Sequence, residues 1–355
     1  MAHIKEIEIN DFKSFSNFKL KDLGRFNIII GDNNVGKSSL MEAALVSENF
    51  DESILCLHHM AGVRSGLSDL NTDIIIDYYS SQKQNKKFEV AIKYENNEVN
   101  RIKCKRLHID ELKRNNELVK LLGYELSLNN VLRNDLKDID DLFYDVYYVN
   151  EIPKALISKL TRHGGYVPFV SSGFFYSSDL VGYYSNFISL NKDNEFLIID
   201  LLSKIFMDLE SIKVISEKGR GSRLIVYLKS SNLPVPMSMF GDGFVKLFRI
   251  IMELFMCKDG KLMIDEIDSG IYFKKFPFFW KSIFSNLRKY DNQVFATTHS
   301  KECLTSLVSF AKENQEFRSF IRIVNLRRNK NGYPMAVCYN FEEFENSIDL
   351  KNEIR

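Results

Sequence analysis

Apolar and polar positions near the start of the chain nearly alternate. Ile4-Lys5-Glu6-Ile7-Glu8-Ile9 reads as a half-buried strand, and "FKSFSNFKL" (12–20) continues in the same manner. The pattern then changes. "RFNIIIGDNNVGKSSLMEAALV" (25–46) is a solid apolar run, a glycine-containing turn and a helically spaced segment, which predicts a buried strand, a loop and a helix. Residues 87–106 alternate on both sides of an Asn-containing turn and predict a hairpin. Residues 108–165, rich in Leu, Asn, Asp and Lys at helical spacing, predict an inserted helical subdomain that ends at "HGGY".

"SDLVGYYSNFISL" and "NEFLIIDLLSKIFMDL" predict helices, the first capped by Ser178, and 223–228 predicts a strand. In "PVPMSMFGDGFVKLFRIIMEL" (234–254) a two-proline hinge leads to a helix that starts on Gly241-Asp242-Gly243. "KLMIDEID" (261–268) and "QVFATTHS" (293–300) are buried strands flanking an amphipathic helix, "FPFFWKSIFSNLRK". A hairpin around "NKNGYP" and a short final helix close the chain. Strands alternating with helices at both ends predict an α/β fold with a mixed central sheet, an antiparallel β layer and the helical insertion. The expected division is 1–107, 108–165 and 166–355.

Composition narrows little. The 48 basic and 47 acidic side chains of the 355 residues leave a formal charge of +1, so any nucleic-acid patch must be local. Cysteines 56, 104, 257, 303 and 338 lie far apart, with no CxxC, which argues against a disulfide or zinc framework and suits a reducing cytoplasm. With no signal-peptide core and no apolar stretch of spanning length, the expectation is a cytoplasmic protein without a membrane partner.

The chemistry concentrates at strand ends. "GDNNVGKSS" (31–39) satisfies G-x-x-x-x-G-K-[ST] between a strand and a helix. Its backbone N–H groups, with Gly31, Asn33, Asn34, Gly36 and Ser39 in the loop, would cradle phosphates. Lys37 would reach the β- and γ-phosphates and Ser38 would hold Mg²⁺, which makes this a nucleotide site. Asp265 and Glu266 end an apolar strand. Alone they could be a solvated strand end; beside a P-loop they read as the outer-shell metal acid and the base that orients or deprotonates water. His299 ends the next buried strand and could donate to a γ-phosphate or hold the attacking water, or be a satisfied strand-end histidine. Gly241 and Gly243 at a helix mouth are poor helix formers, which fits a backbone that must approach a phosphate, with Ser238 presented alongside. Since the P-loop already cradles one nucleotide, a second such mouth is best explained by the nucleotide of a second copy, in a two-fold dimer.

Together "GDNNVGKSS", "MSMFGDGF", "MIDEIDSGIYF" and "VFATTHSKECL" resemble the ABC-type ATPase head of the RecF/SMC-like class, and in particular the overcoming-lysogenization-defect (OLD) proteins. The resemblance spans about 1–50 and 165–340. It implies ATP and Mg²⁺ as ligands, Lys37 and Ser38 on phosphate and metal, Asp265 as Walker B acid and Glu266 as catalytic base. It further implies Asp268 and Ser269 as D-loop, His299 as switch histidine, and Ser238, Gly241, Asp242 and Gly243 as a signature acting in trans. The signature departs from L-S-G-G-Q, with Phe240 where the serine would align, and no Q-loop glutamine stands out beyond Gln82 and Gln84 in a polar turn. OLD nucleases continue into a TOPRIM domain, which the about fifteen residues after the hairpin are too few to build, so a nuclease or toxin effector is expected on another chain.

Other features are bland by comparison. Glu342, Glu343 and Glu345 read as a solvated helix face, and His58-His59 as no metal site. Lys83, Lys86, Lys87, Lys103, Lys105 and Arg106 flank the first hairpin as a solvated rim or, less favoured, a DNA track. The expected function is an ATPase that dimerises around ATP and regulates an effector in anti-phage defence. The rival readings are a RecF-like repair ATPase that clamps DNA itself and a slow, nucleotide-gated scaffold.

Overall fold

The computed structural model describes residues 2–46, 53, 56–57, 60–61, 78–80, 87–114, 117–128, 168–173, 178–217 and 221–349. Its centre is a six-stranded sheet in the order β14-β13-β3-β12-β11-β7, comprising β3 (Phe26–Gly31), β7 (Phe169–Val170), β11 (Lys261–Ile264), β12 (Gln293–Thr297), β13 (Ile321–Arg328) and β14 (Pro334–Tyr339). All neighbours run parallel except the β13–β14 hairpin. Parallel strands covered on both faces must be apolar on both, and these are. Phe26, Ile28 and Ile30 join one core with Leu262, Ile264, Val294 and Ala296, while Ile29, Met263 and Phe295, one residue out of phase, join a second.

The first core is completed by α4 (Asp242–Met256), α5 (Phe276–Tyr290), α6 (Lys301–Glu313) and α7 (Phe341–Asp349), with Trp280 edge-on and Phe284 tilted against Phe26. The second core is shared by α1 (Lys37–Ala44) and a five-stranded antiparallel sheet in the order β2-β1-β4-β5-β6. Its strands are β1 (Ile4–Asn10), β2 (Phe18–Leu20), β4 (Lys87–Tyr94), β5 (Val99–Arg114) and β6 (Glu117–Leu128). A three-stranded sheet of β8 (Leu209–Glu217), β9 (Gly221–Leu228) and β10 (Ser231–Pro236), in the order β10-β9-β8, with α2 (Ser178–Tyr183) and α3 (Lys192–Ser203), flanks the first core.

Three expectations change. The helical insertion does not hold for 108–128: β5 and β6 pair antiparallel from Ile102↔Leu128 to Arg114↔Glu117. Leucine spacing there fits either period, and the open edge of β4–β5 offers backbone partners that a single segment's pattern does not display. Residues 129–167 lie outside the described residues. The proline hinge is strand β10 (Ser231–Pro236) at a sheet edge, where a missing N–H costs no ladder bond. The long helix expected from 194 to 209 ends at Ser203, and Leu209 opens β8 (Leu209–Glu217), which pairs with β9 (Gly221–Leu228). No helix among the described residues is long and apolar enough to cross a membrane.

Candidate functional site

The strand order β3-β12-β11 sets three loops side by side at the carboxyl ends of parallel strands, where open α/β sheets bind ligands. From β3 the chain enters the P-loop. Gly31 has φ 142°, and a Cβ there would meet the Leu326 carbonyl oxygen at 2.2 Å, so the loop leaves the sheet flush against β13. Gly36, at φ 113°, is the N-cap of α1, and its Cβ would press on the Phe15 ring at 3.0 Å. Asp32, Asn33 and Asn34 are exposed, Asn34 in the left-handed region at φ 60° that asparagine tolerates. The first N–H groups of α1 have no intrahelical partners, and with the helix dipole they form an anion-binding mouth.

Lys37 lies across this loop, its Nζ donating to the carbonyls of Gly31 and Asp32 at 2.8 Å each. Burial lowers its pKa against the opposing pull of Asp265, Asp32 and Glu266. Ser38 Oγ stands 3.4 and 3.3 Å from the carboxylate oxygens of Asp265, which follows β11. That separation is long for a hydroxyl–carboxylate bond and close to the about 3 Å between adjacent oxygens on a small octahedral cation. A hydroxyl and a carboxylate are hard oxygen donors, so this pair fits Mg²⁺.

Sequence reading missed Thr297, the last residue of β12. Its hydroxyl donates to Asp265 Oδ1 at 2.7 Å and accepts from the Glu266 N–H at 2.7 Å, so one side chain orients both acids. Glu266 is exposed and has φ 48°, an uncommon conformation for a residue with a side chain. Asp268 accepts from the Thr298 hydroxyl, which also accepts from the Ser300 N–H at 3.0 Å; the Ser269 N–H donates to the Glu266 carbonyl at 2.9 Å. His299 is exposed between β12 and the Ser300 cap of α6, beside the same loops.

The mouth of α4 lies against this cluster. Ser238, on a 3₁₀ turn, and Asp242 are exposed, and Gly241 (φ 80°) has open space around it. Gly243 has a structural reason to be glycine: an added Cβ would sit 1.9 Å from the Gly270 carbonyl oxygen. Lys246, also missed, is wholly buried one turn later and donates to the carbonyls of Asp265, at 3.3 Å, and Glu266. Desolvation lowers its pKa to about 8, with Asp268, Glu266 and Asp265 holding it up. The signal in the sequence was a lysine set among Phe244, Val245, Leu247 and Phe248, all buried.

Arg328, at the end of β13, donates to the Asn34 carbonyl at 2.6 Å and to that of Gly332 at 2.6 Å, linking the β13–β14 hairpin to the P-loop. Lys87 is exposed and Lys103 half-buried; Lys83, Lys86, Gln82, Gln84 and His58-His59, and the side chains of Lys105 and Arg106, lie outside the described residues. Among the described residues no group of three or more His, Cys, Asp or Glu gathers to hold a metal.

A glycine-lined helix mouth with a lysine, a serine facing an aspartate and a following glutamate, all on one α/β sheet, mark a P-loop ATPase domain of the AAA class. The chain belongs to the family described as "AAA domain, putative AbiEii toxin, Type IV TA system", which matches residues 26–304. It is similar to a Helicobacter pylori (strain ATCC 700392 / 26695) protein named "ATP/GTP phosphatase", 25% identical over 374 residues that cover 97% of this chain and 99% of that one. In fold it is similar to an Smc head bound to the C-winged helix domain of ScpA, at TM-score 0.53 and 13% identity over 97% of this chain and 99% of that one. A second Smc head with an extended coiled coil, bound to the C-terminal domain of ScpA from Pyrococcus furiosus, gives TM-score 0.56 and 12% identity over 99% and 100%.

Proposed function

We propose that this protein hydrolyses ATP to ADP and phosphate with Mg²⁺, and that two copies close around the nucleotide. The observation that carries this reading is the pairing of Ser38 with the Asp265 carboxylate, with Glu266 next in the chain and held by Thr297. In it Lys37 and the N–H groups around Gly31, Asn33, Asn34, Gly36 and Ser39 take the phosphates. Ser38 and Asp265 would hold Mg²⁺, whose chemistry is to neutralise charge on the phosphates. Glu266 accepts the proton of the attacking water, and His299 meets the γ-phosphate side. Asp268 and Ser269 form the loop between sites, and Ser238, Gly241, Asp242 and Gly243 present the exposed mouth of α4 to the nucleotide of the second copy.

The output is a change in the dimer that acts on a separate effector, a nuclease or toxin, in anti-phage defence, by an OLD-like logic. The family description, which couples the AAA domain with a toxin–antitoxin system, supports the defensive context. The Smc heads that share the fold are seen with a partner domain attached, which supports a head that works on another protein.

Glu266→Gln provides the test. It should retain ATP, lose turnover by about 10²–10⁴-fold and accumulate as an ATP-dependent dimer in light scattering. A variant that stays monomeric at every ATP concentration overturns the sandwich, and one that turns over like the parent overturns the role of Glu266. ATP-dependent DNA retention that weakens steeply with salt would replace the effector reading with a DNA clamp.

A further inference from the structure

We propose that Lys246 is a positioning residue that ties the mouth of α4 to the peptide of Glu266, so that the glycine-flanked helix start and the base are held as one body. This rests on the reading of Glu266 as the base. Lysine is almost never fully buried unless its ammonium is engaged, and Lys246 is 0% exposed. Its helix neighbours Phe244, Val245, Leu247 and Phe248 are buried and apolar, so packing alone would be met by leucine or methionine at this position.

The targets of the amine matter. Lys246 Nζ donates to two main-chain carbonyls, those of Asp265 and Glu266, where β11 ends. It therefore fixes the backbone there. Glu266 needs fixing, because its φ of 48° is a conformation that side-chain-bearing residues avoid unless the surroundings impose it. The surroundings do so from two sides. The N–H of Glu266 is held at 2.7 Å by Thr297 on β12, and its carbonyl is held by Lys246 on α4 and by the Ser269 N–H at 2.9 Å. Remove the lysine, and α4 loses its grip on this peptide while the β12 side remains.

A second contact makes the tie rigid. Gly243 and Gly270 meet backbone to backbone, so α4 touches the segment 265–270 at its far end through glycines and at its near end through Lys246. With both ends fixed, the direction of the Glu266 carboxylate is set by where the mouth of α4 sits.

Lys246→Met keeps length and apolar volume and removes every donor; Lys246→Arg keeps charge and donors. Steady-state turnover of ATP and binding of MANT-ATP are measured for both, for Glu266→Gln and for the Lys246→Met/Glu266→Gln double variant. Displacement of a catalytic group by about 1 Å costs about 100-fold in rate, so Lys246→Met should lose about that in kcat, with KM and MANT-ATP affinity within about threefold. Lys246→Arg should recover about tenfold of the loss. Because Lys246 acts through Glu266, the double variant should be no slower than Glu266→Gln. Retention of kcat by Lys246→Met overturns the proposal. So does joint loss of MANT-ATP binding and solubility in both single variants, or additive losses in the double variant, since each marks a general structural role. Parental turnover in Glu266→Gln defeats the underlying reading instead, and that result is independent of position 246.

Discussion

Replacing Gly243 by alanine adds one methyl group where two backbones meet. The new Cβ would lie 1.9 Å from the Gly270 oxygen, whereas ordinary contact begins at 3.4 Å, so 3.4 − 1.9 = 1.5 Å must be found by moving main chain. No side chain can rotate away. Gly270 itself sits at φ 75°, and the Lys246 bonds hold the same segment from the other end. Two effects compete. Alanine favours a helix over glycine by about 1 kcal/mol, and overpacking costs about 1–3 kcal/mol. The clash should win, with a net loss of up to about 2 kcal/mol. For a chain of 355 residues, at about 2.1 cal/mol/K of unfolding entropy per residue, that lowers Tm by roughly 1–2 °C per kcal/mol. Turnover should fall about tenfold or more, because the displaced segment carries Asp265 and Glu266. Gly182→Ala in α2 is the internal control: its Cβ would meet nothing within 4 Å, so helix propensity alone should raise stability by up to about 1 kcal/mol. Thermal melts and ATP turnover of the two variants decide. Should Gly243→Ala melt higher, as the control does, with undiminished kcat, the close approach would not be what requires glycine there.

Thr297→Val is nearly isosteric but strands the Glu266 N–H and removes a donor from Asp265, so we expect a loss of about 1–3 kcal/mol and a steep fall in turnover, with Thr297→Ser restoring both. Chemical denaturation with parallel phosphate-release assays checks it. Arg328→Met breaks two bonds at an exposed site, so stability should change by less than about 1.5 kcal/mol, while nucleotide titrations should show KM rising severalfold as Asn34 loses its tether. An unchanged KM would detach the hairpin from the P-loop's function.

Much of the site was legible in one dimension. The P-loop is a run of contiguous residues whose chemistry depends on local backbone freedom, and Gly31 and Gly36 do hold φ values that glycine tolerates best. Asp265 and Glu266 were readable because an apolar strand that ends in acids displays them on adjacent positions. What escaped did so for stated reasons. Thr297 looked like ordinary β-strand threonine, since its two partners come from another strand. The helix Lys301–Glu313 went unread behind "TTHS", and the strands at 108–128 were misassigned because their leucine spacing fits a helix as well as the hairpin that β5 and β6 form with each other. Gly243 was read for a phosphate, and its neighbour in the fold is another glycine's backbone.

By itself, then, the sequence determined the order of strands and helices around the P-loop, the residues proposed to meet phosphate and metal, and the ATPase class of chemistry they would support. These follow from spacing and side-chain type within short segments. Only the tertiary structure decided that β3, β12 and β11 lie side by side, that Thr297 serves both acids, and that Lys246 holds the backbone of Glu266. Those facts depend on contacts between residues tens to hundreds of positions apart, and no local pattern encodes which distant backbone a buried amine or a bare glycine will meet.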